Sequence, residues 1–431
     1  MNSNKFKVLL IINECNPEWA SVPLEGYRYY ESISKLVDTT LVTHERNQSA
    51  LEKIHGDRDI TYIAESKLLK QYYKIAKRLS TIKKKTIWPL RHVLTYPLYG
   101  EFNHLVYSTF KHRILRGDYD IVHALTPMMP RYPVKVVKAC QNQPFILGPV
   151  NGGVPFPKSF REVALQEFSY FNFMRMVGRF IIPGYRRTYQ EADHILAGST
   201  YTLNFLGEVF NLENQRIELF YENGISNSFI KKEQEAGEAK SQPNKLVKLL
   251  FVGRLVPYKG ADMLIEAVNQ LEGSIQEKIS LTIVGDGSER NTLEQQVQQA
   301  NLGEIVNFTG WVPQQETIKY YSSADIFCFP SIREFGGAVV LEAMASGLPC
   351  IVVNNGGIGE YVTEETGFSI NPVARDFVIQ ELKKCIEKLV ENQALRQNMS
   401  RQAIKRAMEF TWDVKAQKIV DTYRKASANY A

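Results

Sequence analysis

The chain has 431 residues, 44% of them hydrophobic and 23% charged, an ordinary soluble balance with room for two domains at roughly 100–200 residues each. Its net charge of +6 comes without any nucleic-acid reader motif, which argues against a nucleic-acid partner. The five cysteines (Cys15, Cys140, Cys328, Cys350 and Cys385) are scattered with no C-x-x-C pair, which argues against a disulfide framework or zinc site and for a reducing compartment.

The first element is a buried strand at Val8–Ile12 in MNSNKFKVLLIINEC. Its apolar run is shorter than the roughly 7–15 residues of a secretory core, and acidic Glu14 follows it. No stretch reaches the roughly 18 apolar residues of a membrane span. A cytoplasmic protein is expected, peripheral at the inner face of the membrane if it meets lipid at all. The next loop is NECNPEWASVPLEGY, with Gly26 as its one glycine. Further strands are predicted at Thr40–Thr43, Ile60–Ile63, Ile121–Leu125, Phe145–Leu147 and Ile195–Ala197. The triplets Asp57-Arg58-Asp59 and Asp118-Tyr119-Asp120 precede two of them and read as loop residues.

From Lys67 to Arg91 there are nine Lys or Arg residues and no acid. Leu68, Tyr72, Ile75, Leu79 and Ile82 recur at helical spacing, so the segment reads as one basic amphipathic helix. Such a helix suits an anionic membrane surface. The other reading is a core helix with a solvated basic face. FSYFNFMRMVGRFIIPGYRR (168–187) adds aromatics and arginines to the same argument.

His123 in DIVHALTP falls at or just after the end of a strand, either at a ligand site or as a satisfied core histidine. GPVNGGVPFP (148–157) carries Asn151, Gly152 and Gly153. The glycines permit close backbone approach to a ligand, or simply make a turn. Residues 226–246, SNSFIKKEQEAGEAKSQPNKL, are polar and read as a linker between a first domain at 1–225 and a second at 247–410. In the second, strands are predicted at Leu249–Val252, Leu281–Val284, Val306–Phe308, Ile326–Phe329 and Cys350–Val353. Helices are predicted at Asp262–Leu271, Ser288–Ala300, Gln314–Ser322 and Phe377–Glu391. Strands alternating with helices mean parallel sheets. The fold class is α/β, with two doubly wound, Rossmann-like sheets facing across a cleft and ligands at the carboxyl ends of the strands.

LLFVGRLVPYKGADMLIEA (249–267) ends a strand at Gly253 and puts Arg254 and Lys259 in a short loop before a helix. Two cations there suit a multiply charged anion, although solvated loop cations would look the same. In REFGGAVVLEAMASG (333–347), Gly336-Gly337 let backbone approach a ligand, and AVVLEAMAS is a helical run. Glu334 therefore precedes a helix N-terminus, a natural phosphate site, and Glu342 lies inside the helix. Carboxylates pair well with vicinal hydroxyls, but the spacing of the two glutamates has little specificity by itself.

The ordered motifs FVGRLVPYKG, IVGDGSERNTLE, VNFTGWVP, ADIFCFPSIREFGGAVVLEAMASGLPCIV, NNGGIGEYV and GFSINP resemble the family-4, or group 1, retaining glycosyltransferases of GT-B fold. The resemblance covers most of residues 249–372 and is looser before them. It implies transfer of a hexose, with retention, from a UDP- or GDP-linked sugar to a glycan or lipid-linked acceptor, without metal or other cofactor. By the same resemblance, Arg254 and Lys259 hold the donor diphosphate, and Glu342 binds ribose. Glu334 contacts the donor sugar, and the amides of Phe335, Gly336, Gly337, Ala338 and Val339 meet sugar and phosphate. Gly253 and Gly26 line the donor site, and the Trp311–Val312 region lies against the base. His123 contacts the sugar and stabilises the transition state; Asn151, Gly152 and Gly153 fall on the acceptor side. FTWDVKAQKIVDTYR resembles the family's terminal helix, so residues 411–431 are expected to pack back on the first domain.

Two departures stand out. The family often reads Glu-x-Phe-Gly where this chain has Glu334-Phe335-Gly336-Gly337, and its glycine pair after the first strand is reduced here to Gly26. Asp-x-Asp triplets bind metal in a different transferase fold, but neither triplet here is expected to do so. Two rival readings are a nucleotide-sugar epimerase of the same plan and a membrane-docking protein that has kept the fold without the activity.

Overall fold

In the computed structural model, residues 5–56, 58–82, 85–130, 132–167, 169, 178, 181–231, 246–428 and 430 are described. The chain divides into two compact units. The first comprises Met1–Gly153, Glu167–Glu222 and Trp412–Ala431; the second comprises Val154–Gln166 and Asn223–Thr411.

The first unit is built on a seven-stranded, all-parallel sheet. Its strands are β1 (Lys7–Ile12), β2 (Asp38–His44), β3 (Ile60–Ile63), β4 (Ile121–Thr126), β5 (Phe145–Val150), β6 (His194–Ala197) and β7 (Ile217–Leu219). Their spatial order is β3-β2-β1-β4-β5-β6-β7. The two-residue period of a strand sorts its apolar residues onto two cores. Leu9 and Ile11 join Val106, Phe110 and Phe210 on one face. Val8, Leu10 and Ile12 join Tyr29, Tyr30 and Ile33 on the other, together with Ile419, Val420 and Tyr423 of the terminal helix Trp412–Ser427.

The second unit repeats the plan with six parallel strands: β8 (Val247–Val252), β9 (Ile279–Val284), β10 (Val306–Gly310), β11 (Ile326–Phe329), β12 (Cys350–Val353) and β13 (Gly367–Ile370). The order is β10-β9-β8-β11-β12-β13. The helix Ala261–Asn269 packs against Arg290–Gln299 and Arg375–Glu391, and Ala338–Ala345 packs against Gln393–Met408. In both sheets the chain order reverses beside the first strand, at β1/β4 and at β8/β11. A ligand of such a sheet binds at the carboxyl ends of the strands flanking that reversal.

The structure differs from the expected organisation in three places. Segment 154–166 belongs to the second unit although it falls inside the predicted first domain. Of the predicted linker, residues 232–245 lie outside the described residues, while Phe229 is buried against Tyr321 of the second unit. The predicted helix over 67–91 is two helices, Lys67–Leu79 and Trp88–Leu94. Between them, Thr81–Ile82 pairs with Lys85–Thr86. Ser80 ends the first helix by donating its hydroxyl to the Ala76 carbonyl, and Arg91 ties the break together through Ser80 Oγ at 2.9 Å and Thr81 Oγ1 at 2.9 Å. Lys83 and Lys84, and most of the aromatic stretch 168–180, lie outside the described residues.

Candidate functional site

At the end of β8, Gly253 N–H donates to the Val284 carbonyl at 2.9 Å, and a Cβ on Gly253 would lie 3.1 Å from the Phe329 ring. The strand end is therefore held tightly against its neighbours. Arg254 is exposed, and its guanidinium donates to the Tyr258 hydroxyl at 2.7 Å. The turn Pro257–Lys259 then leads to Gly260, whose φ of +71° starts the helix Ala261–Asn269. A Cβ on Gly260 would sit 2.4 Å from the Pro330 carbonyl, so this loop presses on the loop leaving β11. The Tyr258 carbonyl joins the two by accepting from Ile332 N–H at 2.9 Å and Ser331 Oγ at 3.3 Å.

Across this junction Lys259 Nζ donates to the Glu334 carboxylate. Both side chains are largely buried, and the ammonium also lies 4.9 Å from the Phe329 ring centroid and 5.4 Å from that of Tyr258. Aromatic faces and a carboxylate together compensate the desolvated cation. Glu334 pairs backbone with Gly356. Gly337, at φ +62°, caps the helix Ala338–Ala345, and a Cβ there would meet Ile358 Cγ2 at 2.1 Å. Gly336 is buried, while Phe335, Ala338 and Val339 are half-buried around the helix N-terminus. The first N–H groups of a helix have no partner within it and carry its positive dipole end.

Glu342, one turn into that helix, is buried. Its two oxygens accept from Gln314 Nε2 at 2.7 Å and Tyr321 OH at 2.9 Å. Burial pushes its carboxyl above the usual range, and those two donors partly offset the rise. Gln314 begins the helix after the Trp311–Val312 turn, so its bond ties that turn to Glu342. Trp311 is 74% exposed, an aromatic face open to solvent, and Val312 is half-buried. Arg254, Lys259, Glu334, the 335–339 backbone and Glu342 thus all belong to the elements flanking the β8/β11 reversal or leading from it.

The remaining candidates belong to the first unit. His123 lies inside β4 and is fully buried. Its Nε2 is 2.7 Å from the Gly148 carbonyl and its Nδ1 2.7 Å from the Tyr423 hydroxyl. A carbonyl only accepts, so Nε2 carries the proton and Nδ1 accepts from the tyrosine. Burial holds the ring neutral, with its pKa lowered to about 4. Both ring nitrogens are thus engaged, one with strand β5 and one with the terminal helix. Asn151 is likewise buried, bonded to Glu222 at 2.7 Å, Ser199 at 3.1 Å and Thr202 at 3.0 Å. Gly152 and Gly153 make the turn that follows, both at positive φ. Gly26 is in the second turn of Val22–Ile33, where a Cβ would lie 2.2 Å from the Glu14 carbonyl. Its smallness lets the helix pack closely on the end of β1.

Sequence reasoning missed Tyr258, Gln314, Tyr321 and Asn355. Asn355 Nδ2 donates to the Ile332 carbonyl at 2.7 Å and the Pro155 carbonyl at 3.1 Å. Tyr258 and Asn355 lie inside the quoted motifs, and Gln314 and Tyr321 close to them. Asp59 accepts from Thr40, Asp118 pairs with Arg116 and Arg113, and Asp120 accepts from Lys7 N–H, while Asp57 lies outside the described residues. Among the described residues no cluster of three His, Cys, Asp or Glu is placed to hold a metal ion.

A D-inositol 3-phosphate glycosyltransferase of Nocardioides sp. (strain ATCC BAA-499 / JS614) is 26% identical over 264 residues, 57% of each chain. An uncharacterized glycosyltransferase of Methanocaldococcus jannaschii is 33% identical over 178 residues, 41% of this chain and 44% of the relative. The chain thus spans about half the length of the curated relatives it matches. Among solved structures, Anabaena HepE in complex with UDP and glucose superposes with a TM-score of 0.60 at 18% identity, covering 97% of this chain and all of that one. The apo lipopolysaccharide outer core galactosyltransferase WaaB gives 0.62 at 16% identity, covering 97% and 99%. These likenesses show the GT-B fold. Residues 232–406, the segment that carries the β8/β11 site, match the family described as glycosyl transferases group 1.

Proposed function

We propose that the protein is a retaining, metal-independent hexosyltransferase that uses a nucleotide-sugar donor, UDP- or GDP-linked, and a glycan or lipid-linked acceptor. The observation that carries this reading is the paired Lys259 and Glu334, with Arg254 alongside, at the carboxyl ends of β8 and β11. Solved relatives of the same fold are described with UDP, UDP-glucose, or UDP and glucose. In this reading the donor diphosphate takes Lys259 and Arg254 together with the amides at Gly337–Val339. Glu334, released from Lys259, turns to a donor-sugar hydroxyl. As the bond from anomeric carbon to phosphate oxygen breaks, negative charge grows on the leaving diphosphate, where fixed cations and amide dipoles stabilise it. Glu342 is poised for ribose hydroxyls and the exposed Trp311 for the base.

The acceptor side of the proposal rests on the helix Lys67–Leu79. Of its residues only Ala76 is buried, while Leu68 is 75%, Ile75 56% and Leu79 60% exposed. An outward apolar stripe among lysines favours a lipid surface over a core helix. We therefore place the protein in the cytoplasm, at an anionic membrane carrying a lipid-linked acceptor. Calorimetry with UDP, GDP and ADP and their sugars tests the donor reading, which predicts micromolar binding of one pair and its loss in Lys259→Ala. Wild-type binding by that variant would refute the assignment. NMR of the product's anomeric proton then separates retention from inversion, and a change in the sugar without any acceptor would identify an epimerase instead.

A further inference from the structure

Segment 154–166 enters the second unit as a foreign piece of chain, between β5 and β6 of the other sheet, and its first residues lie against the loops of the β8/β11 site. Arg333 Nε–H donates to the Val154 carbonyl at 2.8 Å. Its guanidinium lies 4.8 Å from the Phe156 ring centroid and 5.0 Å from that of Phe335. Phe156 in turn meets Tyr258 edge-on at 6.5 Å, and Tyr258 holds Arg254. Asn355 joins the neighbouring residue by donating to the Pro155 carbonyl. Three residues of the inserted segment therefore touch all three loops at the carboxyl ends of β8, β11 and β12.

We propose that Arg333 and Phe156 form a clamp that positions Glu334 for the donor sugar, making Arg333 a positioning residue of the site. Glu334 is covalently next to Arg333 on one side and, on the other, to Phe335, the second ring near the guanidinium. A planar guanidinium held near two rings and anchored through Nε restrains the chain on both sides of the carboxylate, which an ammonium cannot do. The diphosphate cations Arg254 and Lys259 stand on the loop leaving β8, whereas the guanidinium and Phe335 flank Glu334 itself. Loss of the clamp should therefore disturb recognition of the sugar more than recognition of the diphosphate.

The inference rests on the donor reading above, and its test separates the two. Calorimetry compares UDP with UDP-glucose, GDP with GDP-mannose and ADP with ADP-glucose, using the pair that wild type binds. Arg333→Lys and Phe156→Leu are each expected to weaken the nucleotide sugar about tenfold while leaving the free nucleotide within twofold. Phe156→Tyr should restore sugar affinity, and Arg333→Lys combined with Phe156→Leu should lose no more than either alone, because both break one clamp. Equal losses for nucleotide and nucleotide sugar, multiplying losses in the double variant, or unchanged sugar affinity would each overturn the clamp. Wild type that binds no pair would instead overturn the donor reading. Thermal unfolding of each variant guards against misfolding, with Phe156→Tyr as the folded reference.

Discussion

Lys259 and Glu334 stand 75 residues apart in the chain and form one ion pair at the point where the second sheet reverses its strand order. Each side chain is largely withdrawn from water, so each depends on the other, on aromatic faces and on loop backbone.

Removing one partner should show that dependence. Lys259→Ala leaves a desolvated carboxylate and is expected to cost about 3 kcal/mol in denaturant unfolding. Lys259→Met with Glu334→Gln removes both charges and should recover most of that loss. Nucleotide binding should stay absent in the double variant, since the cation is still missing. Restored binding there would show that Lys259 is only structural.

Glu342 gives a different signature. Tyr321→Phe deletes a hydroxyl that donates to the buried carboxylate and should destabilise by about 2 kcal/mol, the usual worth of a hydrogen bond to a charged group. Because burial raises the carboxyl's pKa in the folded state, its ionisation weakens the fold as pH rises above the ordinary glutamate range. Stability curves at pH 5 and 7 for wild type and Glu342→Gln should differ in that direction.

Gly337 is constrained twice, by its left-handed backbone and by Ile358. Gly337→Ala is expected to cost about 2 kcal/mol or more and to impair nucleotide binding. Adding Ile358→Ala relieves the contact but leaves the backbone strain, roughly 1 kcal/mol. Full recovery in the pair would mean that only the collision mattered.

His123 predicts acid sensitivity. Its folded pKa of about 4 lies below the ordinary value of 6.5, so the unfolded chain binds more protons between those values. Stability contributed by the neutral ring is fully present above pH 6.5 and lost as pH falls toward 4, by about 3 kcal/mol in total. His123→Gln should flatten this part of the profile relative to wild type. Identical slopes would show that the ring does not stay neutral in the fold.

The exposed stripe of Lys67–Leu79 can be separated from a core role. Ile75→Ser with Leu79→Ser should change stability by less than about 1 kcal/mol, because both residues are outside the core. Binding to vesicles rich in phosphatidylglycerol should nevertheless drop about tenfold. Charge reversal at Lys74, Lys77 and Arg78 should act the same way and become weaker in high salt. Unchanged co-sedimentation would reject the membrane reading.

Much of this was written in the chain itself. Runs such as KLLFV and IFCF are apolar because parallel strands are covered on both faces, so they announce two sheets. The strands missed, Ile217–Leu219 and Gly367–Ile370, are short edge elements with a polar residue inside, too brief for a period to register. The loop motifs offered Arg254, Lys259, Glu334 and Glu342 as candidates only through their ordered company, since by residue type alone the two cations could equally be solvated loop residues. Pairing was a different matter. Whether Lys259 meets Glu334, whether His123 keeps a nitrogen to spare, and whether Val154–Phe156 leaves its own half of the sequence all depend on contacts made far apart along the chain. Residue type and spacing report which groups can carry charge or bend the backbone. Only the packed structure decides which of them face one another, because burial and hydrogen bonding are properties of the neighbours that folding brings together.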